Sequence, residues 1–460
     1  MNHRLMAANT LLFICACSLE AATLTWNGGG SDGNWSTAAN WNSGLAPVSG
    51  DSLVFGGTTN LSANAGSGSW NWYPNSLSFA SGAGAFTLYG GGIHIGSGGI
   101  TNNSTNTQTI SSQLYLDANQ TWNASSGALV ISGGSYINGG DNALTVTGSS
   151  SVTIEHQLGN VSTLTLSGSG NRAFTSTSTL SATTLTSSGT GTTTFAAQVN
   201  TTTINLTSGT TNFTNTGTSA QAGNGGINIS GTAAATFSGN VAGGRGGINI
   251  TSSGNVNFNG HITGGSLTLN GTGTTTLAGD GSNNISSTTV NSGTLILAET
   301  GGGDAINGPL VVNSGGTVIF AGDDQIPSWQ TVTLNTGSTL LLGDTSQTFT
   351  NLIINGNSVI DFGSGGSQIN VSGNLTIAEG ITITILNWNA SVGDVFAGTN
   401  PGTPVVNVQY ADSTGTVYAT GTWGGGYVTP GAPVPEPATY GLLMIGTGIA
   451  FFLWRRREAS

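Results

Sequence analysis

Two stretches decide the fold: Thr289-Val290-Asn291-Ser292-Gly293-Thr294-Leu295-Ile296-Leu297, and soon after it Leu310-Val311-Val312-Asn313-Ser314-Gly315-Gly316-Thr317-Val318-Ile319-Phe320. Each has a short β-favouring run, a polar turn ending in glycine, and a second β-favouring run. Neither run is long enough for an ordinary helix, and both are rich in the branched residues that strands prefer. Asparagine and glycine supply the positive-φ corners that let a chain reverse within a few residues.

The pattern spreads in both directions. Upstream it occurs at Val146-Thr-Gly-Ser-Ser-Ser-Val152, Leu166-Ser-Gly-Ser-Gly, Leu185-Thr-Ser-Ser-Gly, Leu206-Thr-Ser-Gly, Ile229-Ser-Gly-Thr, Ile250-Thr-Ser-Ser-Gly and Leu269-Asn-Gly-Thr-Gly. Downstream it occurs at Leu334-Asn-Thr-Gly-Ser, Ile354-Asn-Gly-Asn and Val371-Ser-Gly-Asn. Successive apolar anchors lie about 17 to 23 positions apart, a solenoid period. Gly225-Gly226-Ile227-Asn228-Ile229 and Gly246-Gly247-Ile248-Asn249-Ile250 are near copies. The expected fold is all-β: a single-stranded β-helix in which each coil alternates apolar-in and polar-out, as in Leu267-Thr268-Leu269. Right-handed crossovers are the default. Twelve anchors at about 4.8 Å per coil predict a rod of roughly 60 Å, longer with flanking coils.

Composition agrees and excludes much else. The chain has 460 residues, 76 of them glycine, with 5% charged residues and a net charge of −12. It has no lysine, and between its two ends the only arginines are Arg172 and Arg245. Nothing here neutralises phosphates, so nucleic acid is excluded as a partner.

The carboxyl end reads as a membrane address. Val434-Pro435-Glu436-Pro437 precede an apolar run from Ala438 to Trp454, then Arg455-Arg456-Arg457. The run is short for a span, but flanking arginines can snorkel and stop transfer on the cytoplasmic side. These residues resemble the PEP-CTERM sorting signal of Gram-negative bacteria that make exopolysaccharide. The resemblance implies an exosortase-type processing enzyme acting near Pro435-Glu436-Pro437, with release or transfer to the cell surface. A plain transmembrane anchor behind a rigid proline linker is the other reading. The coils from Thr268 to Phe362 resemble the autotransporter-associated β-strand repeat, which implies a passenger-type β-helix, although no outer-membrane barrel follows them.

The amino end is a secretory signal. His3 and Arg4 precede an apolar run through Leu11-Leu12-Phe13-Ile14 that ends in small residues, with cleavage expected after Ala21 or Ala22. A lipoprotein signal at Ile14-Cys15-Ala16-Cys17 is the less favoured alternative. Both cysteines lie in this segment, so the mature chain has neither disulfides nor cysteine metal sites.

The expected organisation is a signal peptide over 1–22, an aromatic N-terminal cap over 23–80, β-helix repeats over 81–380 and a C-terminal β cap over 381–423. A Gly/Pro linker with the Pro-Glu-Pro motif follows over 424–437, then a transmembrane helix and Arg-rich tail over 438–460. In the last cap, Val405 to Tyr410 and Thr416 to Trp423 read as a hairpin about Asp412-Ser413-Thr414-Gly415. The tryptophans Trp26, Trp35 and Trp41 suit a cover for the first coil; the functional reading is a platform on which sugar rings stack.

Catalytic patterns are sparse. His94, His156 and His261 have no metal-type spacing, and no metal or cofactor is expected. Gly29-Gly30-Ser31-Asp32-Gly33 matches a nucleophile elbow only formally. Asp280, Glu299, Asp304, Asp323, Asp324, Asp344 and Asp361 fall near successive turns; Gly301-Gly302-Gly303-Asp304 and Gly139-Gly140-Asp141-Asn142 loosely resemble calcium-binding turns. Solvated turn carboxylates are the simpler reading. A polysaccharide lyase or hydrolase is the rival function, but only Arg172 and Arg245 could serve a lyase as base, and adjacent Asp323 and Asp324 point apart on a strand. The expectation is therefore a non-enzymatic structural or adhesive protein. It passes the inner membrane, is held there by its C-terminal helix until processing, and works at the surface or in the matrix beside exopolysaccharide.

Overall fold

The computed structural model describes residues 21–66, 71–132, 136–399 and 407–433. Over these the chain winds into a parallel β-solenoid of about 16 turns with almost no helix. Each turn contributes to up to three ladders. The first runs from Asn71–Trp72 and Gly92–Ile95 through Leu114–Leu116. It ends at Ser346–Phe349, Gln368–Val371 and Val395–Ala397. The second runs from Thr23–Trp26 to Leu375–Ile377, and the third from Ser62–Asn64 to Val408–Ala411.

Strand alternation puts an apolar residue of each coil on most inward positions. In the second ladder Leu144, Leu164, Leu185, Ile204, Ile227, Ile248 and Leu267 follow one another in register, all buried. In the third, Phe174, Phe195, Phe213, Phe237 and Phe258 stack with ring centroids 4.8, 5.2, 4.6 and 4.9 Å apart and interplanar angles of 21°, 20°, 7° and 3°. These separations are the parallel strand spacing itself. Burying each such side chain contributes roughly 1.5–3 kcal/mol, an upper-end figure because unfolded chains already shield some area.

The Asn-Ser-Gly turns make the corners. Asn291 donates through Nδ2 to Asn270 Oδ1 at 2.6 Å, Asn313 to Asn291 at 2.5 Å, Asn335 to Asn313 at 2.6 Å and Asn355 to Asn335 at 3.3 Å. Each amide both gives and accepts, so the row satisfies itself along the rod. The glycine closing the turn has φ of 74° at Gly293, 83° at Gly315 and 76° at Gly337. At Gly293 a Cβ would also lie 2.5 Å from the Gly271 carbonyl oxygen, so the coil spacing excludes a side chain there.

The structure corrects several details of the expected layout. All the anchors from Val146 to Ile354 share one register except Leu185, which pairs with Leu164 and Ile204, two positions earlier. The anchor slot belongs to Ser187, 3% exposed, whose Oγ accepts a hydrogen bond from Thr211 Oγ1 at 3.4 Å. Val371 belongs to the first ladder, and the second continues instead at Ile377. Residues 23–80 are not a separate segment ahead of the repeats. Thr23–Trp26 pairs in parallel with Ser52–Phe55, and Ser52–Phe55 with Ser76–Phe79, so the coils begin at Thr23.

The other end also differs. Parallel pairing continues past 380 to Val408–Ala411. Val408–Ala411 then forms the expected hairpin with Val417–Gly424, and Asp412 Oδ1 accepts the backbone N–H groups of Thr414 and Thr416. The stretch expected as a linker is partly strand: Tyr427–Pro433 runs antiparallel to Val417–Gly424. Val428 is buried, and its carbonyl accepts from the buried Tyr410 hydroxyl at 3.0 Å. That apolar anchor outweighs the glycines and prolines around it. The signal segment through residue 20 and the tail from Val434 onward lie outside the described residues. No helix among the described residues is long and apolar enough to cross a membrane.

Candidate functional site

The three tryptophans singled out from the sequence are interior. Trp26 and Trp35 are 0% exposed and Trp41 1%. Trp26 and Trp41 meet edge to face at 5.2 Å and 89°, Trp35 and Trp41 at 6.5 Å and 87°, and all three surround Phe55. Trp41 Nε1 donates to the Trp35 carbonyl at 2.8 Å. A ring covered on both faces has nothing to stack on a sugar, so the expected sugar platform does not lie on Trp26, Trp35 and Trp41.

An aromatic row does reach the surface one ladder away. Outward positions of the first ladder carry Tyr73, His94 and Tyr115, one per coil. His94 stacks 4.4 Å from Tyr73 and 4.2 Å from Tyr115, with angles of 29° and 7°. Asp117 Oδ1 lies 2.9 Å from His94 Nδ1. Tyr73 and Asp117 are exposed, and a pocket, about 350 Å³ in the unprocessed chain, opens beside them, lined also by Ser49, Gly50, Pro74, Asn75 and, before processing, Ala21. Flat rings with adjacent carboxylate and amide groups suit a polyhydroxylated ligand. In the sequence Tyr73 groups with the cap aromatics and His94 stands alone; coil-spaced aromatic residues are the signal that could have joined them. Trp329, 65% exposed on the Pro327–Gln330 turn, is a second surface ring.

The carboxylates mostly fasten one coil to the next. Asp323 accepts the Ser346 N–H at 2.8 Å and Asp324 the Thr348 N–H at 3.1 Å. Asp344 accepts from Ser364 and Gly365 N–H and from the Ser364 hydroxyl, which holds its carboxyl below the usual range, the Ser364 hydroxyl bond being the largest cause. Asp361 accepts from Asn387 Nδ2 at 2.7 Å. Asp280 lies 3.5 Å from His261 Nε2. Burial, and then the charge of Asp324, raise Asp304.

Glu299 differs. It is 5% exposed, its Oε1 accepts from Asn283 Nδ2 at 2.8 Å, and burial pushes its carboxyl upward against the opposing hydrogen bonds and His261. Its Oε2 faces Gly279 so closely that a Cβ there would sit 2.7 Å away. A raised carboxyl is what a general acid needs, but this one is enclosed by its own coils. Among the described residues no three His, Asp or Glu side chains converge to hold a metal ion.

Arg172 is not placed as a base. Arg172 is 2% exposed and gives its terminal nitrogens to the carbonyls of Ser150, Asn171, Gly148 and Ser167. Burial lowers its pKa, yet the head group is spent on closing a corner. Arg245 is exposed on its turn. The Gly29–Gly33 stretch is no nucleophile elbow: Asp32 gathers Thr37 Oγ1 and the Asn34 amides, and only a three-residue 3-10 turn, Ala38–Asn40, follows.

Comparison with known proteins bears on the carboxyl end. No curated protein and no solved structure matches the chain. Residues 433–457 match the PEP-CTERM protein-sorting motif, which indicates an exported, membrane-passing β-solenoid protein sorted through an exosortase.

Proposed function

We propose that this protein is a structural and adhesive rod of the cell surface or extracellular matrix, associated with exopolysaccharide and working without catalysis. The observation that carries the reading is the sorting motif at 433–457 at the end of a solenoid whose flanks are rows of small polar side chains. One such row is Thr145, Thr165, Thr186, Asn205, Asn228 and Asn249, in register on the outer face of the second ladder. Many weak hydrogen bonds along a rigid face add by avidity, as a polymeric partner needs. The surface row Tyr73, His94 and Tyr115 with Asp117 is the place where a sugar ring is held most specifically.

The ends protect the rod. The buried cluster of Trp26, Trp35, Trp41 and Phe55 covers the first coil, and the antiparallel strands after Val408 cover the last, which keeps both edges from recruiting other strands. The coils from Thr268 to Phe362 belong to the autotransporter-associated type. The apolar run from Ala438 holds the protein in the inner membrane, with Arg455, Arg456 and Arg457 inside, until the exosortase acts near Val434-Pro435-Glu436-Pro437.

The test is deletion of Val434 to Ser460 followed by fractionation and intact mass. The expected result is an unprocessed chain absent from the surface; unchanged surface delivery overturns the reading. Incubating the purified protein with acidic polysaccharides is expected to yield no new reducing or unsaturated ends, and their appearance favours an enzyme instead.

A further inference from the structure

The sequence leaves two bonds open for removal of the signal segment, Ala21–Ala22 and Ala22–Thr23. The first coil distinguishes them. The Ala22 backbone nitrogen donates to Asp51 Oδ1 at 2.8 Å, and the other oxygen, Oδ2, accepts the Val48 N–H at 2.8 Å. Asp51 is 2% exposed. The Ala22 carbonyl accepts the Ser52 N–H at 2.7 Å, and from Thr23 onward the strand is in register with Ser52–Phe55. Ala22 is therefore the residue at which the main chain joins the solenoid, and a buried carboxylate sits against its nitrogen.

A carboxylate buried this far normally needs a cation. Among the described residues no basic side chain pairs with Asp51. The chain has no lysine, and Arg172 is committed to carbonyl oxygens. The missing charge is one that processing itself can make. We propose that the signal peptidase hydrolyses the Ala21–Ala22 bond and that the α-ammonium freed on Ala22 forms an ion pair with Asp51, fastening the first strand to the second coil. Water adds across the amide: its oxygen goes to the Ala21 carbonyl carbon, leaving a carboxylate there, and the Ala22 nitrogen becomes the ammonium. A neutral amide donor is thereby replaced by a charged one, which makes the stronger hydrogen bond to a carboxylate. Cleavage one residue later would remove the nitrogen that faces Asp51 and leave its Oδ1 without this donor.

The proposal rests on the exported reading, and the experiment separates the two. The amino terminus of the protein recovered outside the cytoplasm is determined by intact mass and terminal sequencing. Ala22 is expected; an exported chain beginning at Thr23 or further upstream overturns this proposal alone. A chain that keeps Met1 in the cytoplasm overturns export and the proposal together. The ion pair is read on mature chains with and without a Gly-Ser extension ahead of Ala22, each made with Asp51 intact and with the Asp51→Asn substitution. The extension is expected to lower the melting temperature by several degrees when Asp51 is intact and to change little in the Asp51→Asn background. Equal losses in both backgrounds overturn the ion pair. If Asp51→Asn does not fold, the extension on the unsubstituted chain decides: unchanged melting overturns it.

Discussion

The aromatic cluster of the first coils and the phenylalanine column of the middle coils are built from the same kind of side chain and are packed in opposite ways. Trp26, Trp35, Trp41 and Phe55 meet at steep or tilted angles of 36° to 89°, with ring centroids 5.2 to 6.5 Å apart. Phe174 to Phe258 stack nearly parallel, one ring per coil. A middle coil has a neighbour on both sides, so its rings inherit the strand spacing. Among the described residues the first coil has a neighbour on one side only, and bulky rings at mixed angles fill its other end. Repetition dictates geometry where it exists; where it stops, packing volume takes over.

Ring deletion is the strongest way to break this contrast. Phe213→Ala and Trp41→Ala each remove a wholly buried ring, for which about 3–5 kcal/mol is the usual cost. They are expected to differ in where the damage appears. Hydrogen exchange in the Phe213 variant is expected to rise in the coils on both sides, since stability in a solenoid passes between neighbours. In the Trp41 variant it is expected to rise from the amino end alone. Identical exchange patterns would show that the two regions unfold as one unit.

A smaller effect is expected at the corners. Asn313→Ala removes the bonds to both Asn291 and Asn335, at roughly 1 kcal/mol for each net hydrogen bond. Loss of melting temperature comparable to Phe213→Ala would mean that the amide row, more than the ring column, holds the middle coils together.

The smallest effect is a pH slope. Burial raises the Glu299 carboxyl above its ordinary value of 4.5, so the folded state disfavours the ionised form. The stabilisation linked to it is fully present below the unfolded value, declines as pH rises toward the folded value, and is level beyond. Glu299→Gln is expected to flatten that slope while leaving mildly acid stability nearly unchanged. A slope that survives the substitution would assign it to Asp304 or Asp394, whose carboxyls burial also raises.

The ladders were legible in the sequence because an apolar residue followed by a short turn of Asn, Ser, Thr and Gly marks the same point of most coils from Val146 to Ile354. Reading failed where a residue's environment and its polarity disagree. Ser187 fills a core slot that hydropathy assigns to Leu185, and the serine is tolerated because Thr211 bonds it inside. Val371-Ser-Gly-Asn has the anchor's composition but lies on another ladder. The tryptophans read first as cover and only second as platform, since ring type alone does not fix exposure. The surface row at Tyr73, His94 and Tyr115 becomes visible only once coil register is known, because nothing else brings three such distant residues together.

The asparagine row sets a rule for how this chain can change length. Asn228 and Asn249 face each other across 21 residues, each in one of the two near-identical segments. An insertion of one residue in a strand would turn the inward side chains beyond it outward and pull one amide out of its row, whereas a whole extra segment slides in with its contacts already matched. Length is therefore quantised: such a molecule grows or shrinks most readily by complete windings, and the length of its solenoid is set by how many it carries.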